Sequence, residues 1–383
     1  MLWGLSPAFF RLLIAFAISA LGSPLSVFAL GLAAYQDGGY APVAGLFLFR
    51  VAARVGLGPW LSTWADRAPL GRVLVLGLLA RGALTALLAA TVGSFWAWAG
   101  LVFLLQGLET LTAPALGAAV TRLVPEPGRT RAHALLGATG RSAALLGPAL
   151  AGALYPRLGA APLFLLDAAS YGLAAGLLLG LGPLSVPAPK AAPFWRGVRD
   201  GIGLLKGPLG GFFLLQAVAS AFWRGLELLA LPLGPERYGL AFSLFTLGAL
   251  HAQGLLALRP LPPSPGLVVG LTGGASLPFL LGLPWFLAFP LAGAAYGASG
   301  PLYAALVPRL VPERMLARAF ALGPLALAVG APAGLGLAPP LAGALGPGLG
   351  LRVLALALLL VSLLLGKRLG PGEPGPKRRS NRG

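Results

Sequence analysis

The chain has 383 residues, of which 57% are hydrophobic and only 10% charged. Soluble proteins carry roughly a quarter charged residues, so this composition excludes an ordinary soluble domain and points to a membrane. A balance of 28 basic against 10 acidic residues gives a formal charge of +18, which in a soluble chain would mark a nucleic-acid footprint. Cysteine is absent, so disulfides, thiolate nucleophiles and Cys-ligated zinc or iron–sulfur sites are excluded. Only His133 and His251 supply imidazole, each alone in apolar surroundings, so neither a metal centre nor another cofactor is expected.

A membrane helix needs about 20 mainly apolar residues. The sequence divides into twelve such segments, at 9–33, 41–62, 72–92, 95–120, 132–155, 160–182, 209–232, 238–258, 265–283, 285–306, 317–343 and 349–366. The stretch from 238 to 283 is the least regular, because Pro260, Pro262, Pro263 and Pro265 crowd one loop. The first segment also has features of a signal peptide, with Arg11 before an apolar run and small residues at Ser19, Ala20 and Gly22. Its apolar stretch nevertheless continues to full spanning length, which favours a retained helix.

Loop charges test this topology independently, since cytoplasmic loops are enriched in Lys and Arg. With both termini inside, nineteen basic residues fall on the cytoplasmic side, including Arg67, Arg72, Arg122, Arg309 and six in the tail. Only Arg157, Arg237 and Arg352 fall opposite. The positive charge is thus an orientation signal in a plasma membrane, and nucleic acid is not an expected partner.

The chain also repeats itself. VTRLVPEPGRTRAHAL at 120–135 matches VPRLVPERMLARAFAL at 307–322, and GPALAGAL at 147–154 is echoed by APPLAGAL at 338–345. The first pair shares charges and a proline in identical order, so coincidence between low-complexity stretches does not explain it. Each copy follows the fourth helix of its half, which predicts two parallel six-helix bundles related by an axis along the membrane normal. The predicted division is 1–182, a linker at 183–208, 209–366 and a basic tail at 367–383. The linker begins PLSVPAPKAAP. Phe194, Trp195, Val198, Ile202 and Leu205 then recur at helical spacing among basic residues, as in a surface helix.

GPWLSTWADRAPLGR at 58–72 resembles the signature between the second and third helices of the major facilitator superfamily. Ser62 stands at a usual glycine position, and Ala68, Pro69 and Leu70 lengthen the loop. A carboxylate at a helix end can lock to loop arginines in one conformation and release them in another. The resemblance therefore implies a conformational latch of Asp66, Arg67 and Arg72, with Arg122 and its repeat counterpart Arg309. Gly147, Pro148 and Gly152 in GPALAG resemble the antiporter motif of that superfamily, with Ala151 replacing one glycine. APALGAAVTRLVPE at 113–126, RSAALLGPALAG at 141–152 and FLLDAASYGLAAGLLL at 164–179 look like the branch containing the enterobactin exporter and macrolide efflux proteins.

Charged groups at bilayer depth are costly and mark functional sites by default. Arg50, Arg54, Arg81, Glu109, Arg141 and Asp167 fall within the first bundle, and Arg224 and Glu227 within the seventh segment. Buried ion pairing is the competing explanation for each. Four arginines against two carboxylates predict a positive cavity wall suited to an organic anion or an amphipathic molecule with an acidic group. Proton coupling needs a carboxyl whose access changes, for which Glu109 and Glu227 lead, followed by Asp167. No Walker sequence or catalytic triad is present, so an enzyme is not expected. The combined expectation is an all-α major facilitator transporter of twelve helices. It would act as a monomer among membrane lipids and export a small amphipathic compound in exchange for protons. An importer, or a non-transporting lipid-binding or assembly protein, are the rivals.

Overall fold

The computed structural model describes residues 6–65, 69–180, 203–312 and 315–369, and every regular element among them is helical. α1 (Pro7–Gly38) starts where Ser6 accepts the Phe9 N–H at 3.2 Å and Pro7 presets the first turn. The Ser6 hydroxyl also donates to the Leu123 carbonyl at 3.0 Å, tying the start of the first helix to the end of the fourth. α2 (Tyr40–Ala65), α3 (Leu70–Ala90), α4 (Phe95–Leu123), α5 (Glu126–Leu158) and α6 (Ala160–Leu178) follow. After the linker come α7 (Pro208–Leu229), α8 (Pro235–Leu258), α9 (Pro265–Gly274), α10 (Leu277–Leu280), α11 (Trp285–Leu310) and α12 (Leu316–Leu369).

Eight helical stretches among the described residues are long and apolar enough to cross a membrane. One of them, Leu322–Arg368, has 47 residues, about 70 Å of helix at 1.5 Å per residue and more than twice a bilayer core. It must pass twice. The break is at Gly346, whose φ of 76° and ψ of 161° lie where a side chain is disfavoured. Counting α9 with α10 as one crossing and α12 as two gives twelve, six on each side of the linker.

The ninth crossing is broken instead of continuous over 265–283. Gly273 and Gly274 weaken the helix, Pro278 cannot donate a backbone bond, and the chain turns where the Ser276 N–H reaches Gly273 O at 3.0 Å. α1 runs five residues past its expected end, to Gly38. The expected surface helix lies outside the described residues apart from Leu205, which sits in a short 3-10 turn at Leu204–Lys206. The tail beyond 369 also lies outside them.

By contact the chain divides into two compact units. The first holds Met1–Ala191 with Leu226–Thr246 and Leu335–Pro347. Its core joins Phe9 and Leu12 of α1, Leu74 and Leu78 of α3, Leu111 of α4 and Tyr171 of α6. The second unit holds Ala192–Gly225, Leu247–Gly334 and Gly348–Gly383. There Gly330 and Gly334 of α12 lie directly on the Ala217 and Ala221 carbonyls of α7. Two small residues four apart on each helix bring the backbones together, and Ser220 adds a bond to Leu327 O at 2.9 Å.

Candidate functional site

A polar network crosses the first unit through helices that are otherwise apolar. On α2, Arg50 Nε donates to Gln106 Oε1 at 3.2 Å, and Gln106 Nε2 donates to Glu109 Oε2 at 3.2 Å. Gln106 and Glu109 are three apart on α4 and share one face. On α3, the Arg81 guanidinium stacks 4.6 Å over the Tyr171 ring of α6. The Tyr171 hydroxyl hydrogen-bonds Ser23 of α1 at 2.8 Å. One turn before Tyr171, Asp167 is 2% exposed, accepts from the Ser170 hydroxyl at 3.3 Å and lies within electrostatic reach of Arg81.

This arrangement depends on Gly22 of α1. A Cβ there would fall 2.6 Å from Asp167 Oδ1 and closer still to the Ser170 hydroxyl, so only glycine lets α6 bring its carboxylate against α1. Gly22→Ala is expected to destabilise the protein by roughly 1–3 kcal/mol through overpacking. A fall in thermal midpoint measured on the purified protein checks this; an unchanged midpoint would mean that α6 shifts freely.

Beside the network lies a cleft of about 210 Å³ between α1, α3, α4 and α6, with Leu12, Phe16, Leu74 and Leu116 in its apolar wall and Arg81 and Glu109 at its charged end. Its hydroxyls are already engaged within their own helices: Ser19 donates to Phe16 O at 3.2 Å and Thr112 to Leu108 O at 3.0 Å. The two charges therefore dominate what the cleft can attract.

A second feature is a backbone seam between α5 and the first half of α8, all within the first unit. Gly152 lies against Pro235 O, and Gly239 lies on Pro148 O, where an added Cβ would fall 3.1 Å from Gly152 Cα. Gly147 packs against Pro24 of α1, where an added Cβ would fall 2.5 Å from the ring. Pro148 has no N–H, so the Ala144 carbonyl one turn back loses its helical partner. The Ser243 hydroxyl accepts the Ala149 N–H at 3.1 Å, and the Thr246 hydroxyl, which bonds Phe242 O on its own helix at 3.0 Å, also approaches the Ala144 carbonyl at 3.4 Å. A neighbouring helix thus satisfies backbone groups freed by a proline, as a membrane interior requires. Ser243→Ala removes the acceptor of the Ala149 N–H and is expected to cost about 1 kcal/mol, read as a lower midpoint in thermal unfolding.

The family model of the Major Facilitator Superfamily matches residues 8–323. The chain belongs to the major facilitator superfamily. Its structure is similar to a POT family transporter in complex with 5-aminolevulinic acid, with 15% identity, TM-score 0.74, and 96% of this chain and 97% of that chain covered. It is also similar to the nucleoside transporter NupG, with 12% identity, TM-score 0.72 and coverage of 95% and 98%. A bacterial homolog of the human lysosomal transporter Spinster gives 14% identity, TM-score 0.69 and coverage of 95% and 96%. At such identities the likeness concerns the fold. No curated protein matches the chain.

None of the other charged candidates of this major facilitator transporter is among the residues lining the cleft. The side chains of Arg54, Arg141 and Arg224 are exposed, Arg141 approaching Gly137 on its own helix. Glu227 is half-buried on α7, where its carbonyl accepts from the Tyr238 hydroxyl at 3.1 Å. Of the latch residues, Asp66 and Arg67 lie outside the described residues, and Arg72, Arg122 and Arg309 are exposed at helix ends. Gln106, Tyr171, Ser23 and Ser170 join the network without standing out in the sequence. Gln106 was the most detectable, being an amide three residues before Glu109 in an apolar helix; Tyr171 and the serines carry no such mark.

Proposed function

We propose that this transporter is a proton-coupled efflux antiporter that exports a small amphipathic organic compound by alternating access. The carrying observation is the Arg50–Gln106–Glu109 chain opening on the cleft beside Arg81. A coupling carboxyl must load a proton in one conformation and release it in another. Glu109 suits this task because the neutral Gln106 amide donates to it and it is half-exposed in the cleft. Glu227, on the other side of the linker, is the second coupling candidate.

Two further features support export. GPALAG forms the α5–α8 seam, a pliable contact able to part and reform, and the residues at 113–179 resemble exporters. The excess of basic residues on one side supports a plasma-membrane orientation with both termini cytoplasmic. Asp66, Arg67, Arg72, Arg122 and Arg309 then act as latches on that side, and a single chain supplies both halves of the machine. The test is a substrate-library uptake assay in inverted vesicles, with and without a collapsed proton gradient. Uptake that depends on the gradient supports the reading; uptake indifferent to it overturns proton antiport.

A further inference from the structure

We propose that the cleft between α1, α3, α4 and α6 binds a compact zwitterion with an apolar, ring-sized body, held within one six-helix set. Its volume of about 210 Å³ exceeds the roughly 150 Å³ that accommodates a benzene ring. The wall is apolar along Leu12, Phe16, Leu74 and Leu116, while charge is confined to Arg81 and Glu109. Such a shape holds an apolar body and orients it by two fixed points.

Charge balance selects the ligand class. Arg81 Nε is buried without a hydrogen-bond partner among the described residues, although the guanidinium plane rests on Tyr171 and feels Asp167 at a distance. Glu109 receives a bond to Oε2 from Gln106, and no ion pair joins it to Arg81 among the described residues. Each charge therefore retains bonding capacity toward the shared cleft. An anion would satisfy Arg81 but face Glu109, and a cation would do the reverse. A ligand carrying both charges, its acidic group toward Arg81 and its amine toward Glu109, engages the bonding capacity left at both ends of the cleft. The amine would compete with a proton for Glu109, which is the exchange that antiport requires. In calling the ligand cargo, this inference rests on the antiporter reading.

The test is calorimetric binding to the full-length protein in phosphatidylcholine nanodiscs, with no gradient present. Three probes of similar size are compared: para-aminomethylbenzoate as zwitterion, para-toluate as anion and para-methylbenzylamine as cation. The zwitterion is expected to bind about ten-fold more tightly than either of the others. Arg81→Gln should lower zwitterion affinity to that of the amine, and Ala20→Phe, which fills the cleft, should abolish binding of all three. Equal binding of the three probes, binding of none, or zwitterion binding unaffected by Ala20→Phe overturns the inference. The ranking on the unaltered protein stands as a test even if a variant does not fold. Loss of the ranking with gradient-dependent flux intact removes this site alone. A preserved ranking with gradient-independent flux keeps the site and removes antiport.

Discussion

Glu109→Gln is expected to cut gradient-driven transport on the order of 10- to 100-fold while leaving the fold intact. Glutamine has the same shape, and its side-chain oxygen can accept the Gln106 Nε2 bond seen at 3.2 Å, so Arg50 and Gln106 keep their positions. What disappears is the ability to lose a proton. Coupling energies between two ligands of a transporter are typically 1–3 kcal/mol, so flux driven by the gradient should fall on the order of 10- to 100-fold. Passive exchange of labelled cargo across liposomes without a gradient should lose its dependence on pH, and it should also weaken if the cargo amine sits against Glu109. The comparison is made in proteoliposomes with a pH-sensitive dye reporting proton movement. Undiminished gradient-driven flux would show that the coupling carboxyl lies elsewhere, with Glu227 the next to replace.

The second large effect is expected at Gly239. The seam with α5 has no room for a side chain: a Cβ at this position would strike the Pro148 carbonyl oxygen and backbone, neither of which can rotate away. Gly239→Leu therefore forces α8 from α5, at a cost of roughly 1–3 kcal/mol of the seam. A conformational equilibrium loaded by that amount shifts about 5- to 150-fold toward arrangements in which the seam is parted. The chain contains no cysteine, so a single reporter can be introduced without prior engineering. Ser243→Cys is nearly isosteric, and Ser243 is 7% exposed at the seam. Its labelling by a membrane-impermeant maleimide should be slow in the parent and at least about ten-fold faster with Gly239→Leu. Equal labelling rates would mean that the seam does not govern access. Gly239→Ala, which adds the Cβ alone, should fall between the two.

These two positions differ in how far they were legible beforehand. Glu109 stands out in sequence because an acid inside an apolar span has a visible cost, whatever surrounds it. Gly239 does not, because a glycine in a Gly-rich membrane chain is unmarked until a neighbour's carbonyl is found above it. The motif on the other side of the seam was visible as Gly147, Pro148 and Gly152, but its partners Pro235, Gly239, Ser243 and Thr246 lie some ninety residues away. Similarly, Arg50, Arg81 and Glu109 could each be singled out, whereas the intervening Gln106 and the Tyr171 ring beneath Arg81 required the helices to be assembled.

The positive cavity wall expected from four arginines is a further instance. Arg54 and Arg141 have exposed side chains and Arg50 reaches Gln106 outside the lining, so the cleft is lined by one arginine and one carboxylate. A residue count along a helix cannot separate its faces when nearly every position is apolar. The weak amphipathicity of these spans leaves their rotation to packing.

Length and hydropathy by themselves determined the all-helical membrane class and the twelve crossings, because a bilayer imposes a minimum apolar length on each pass and forbids unpaired backbone within it. The internal repeat adds the expectation of two sets of six. Tertiary structure alone decided which small residues face one another, where the ninth crossing breaks, and which charges share a cavity. These depend on contacts of a few ångströms between helices distant in sequence, and the lipid-imposed apolar pattern records almost nothing about them.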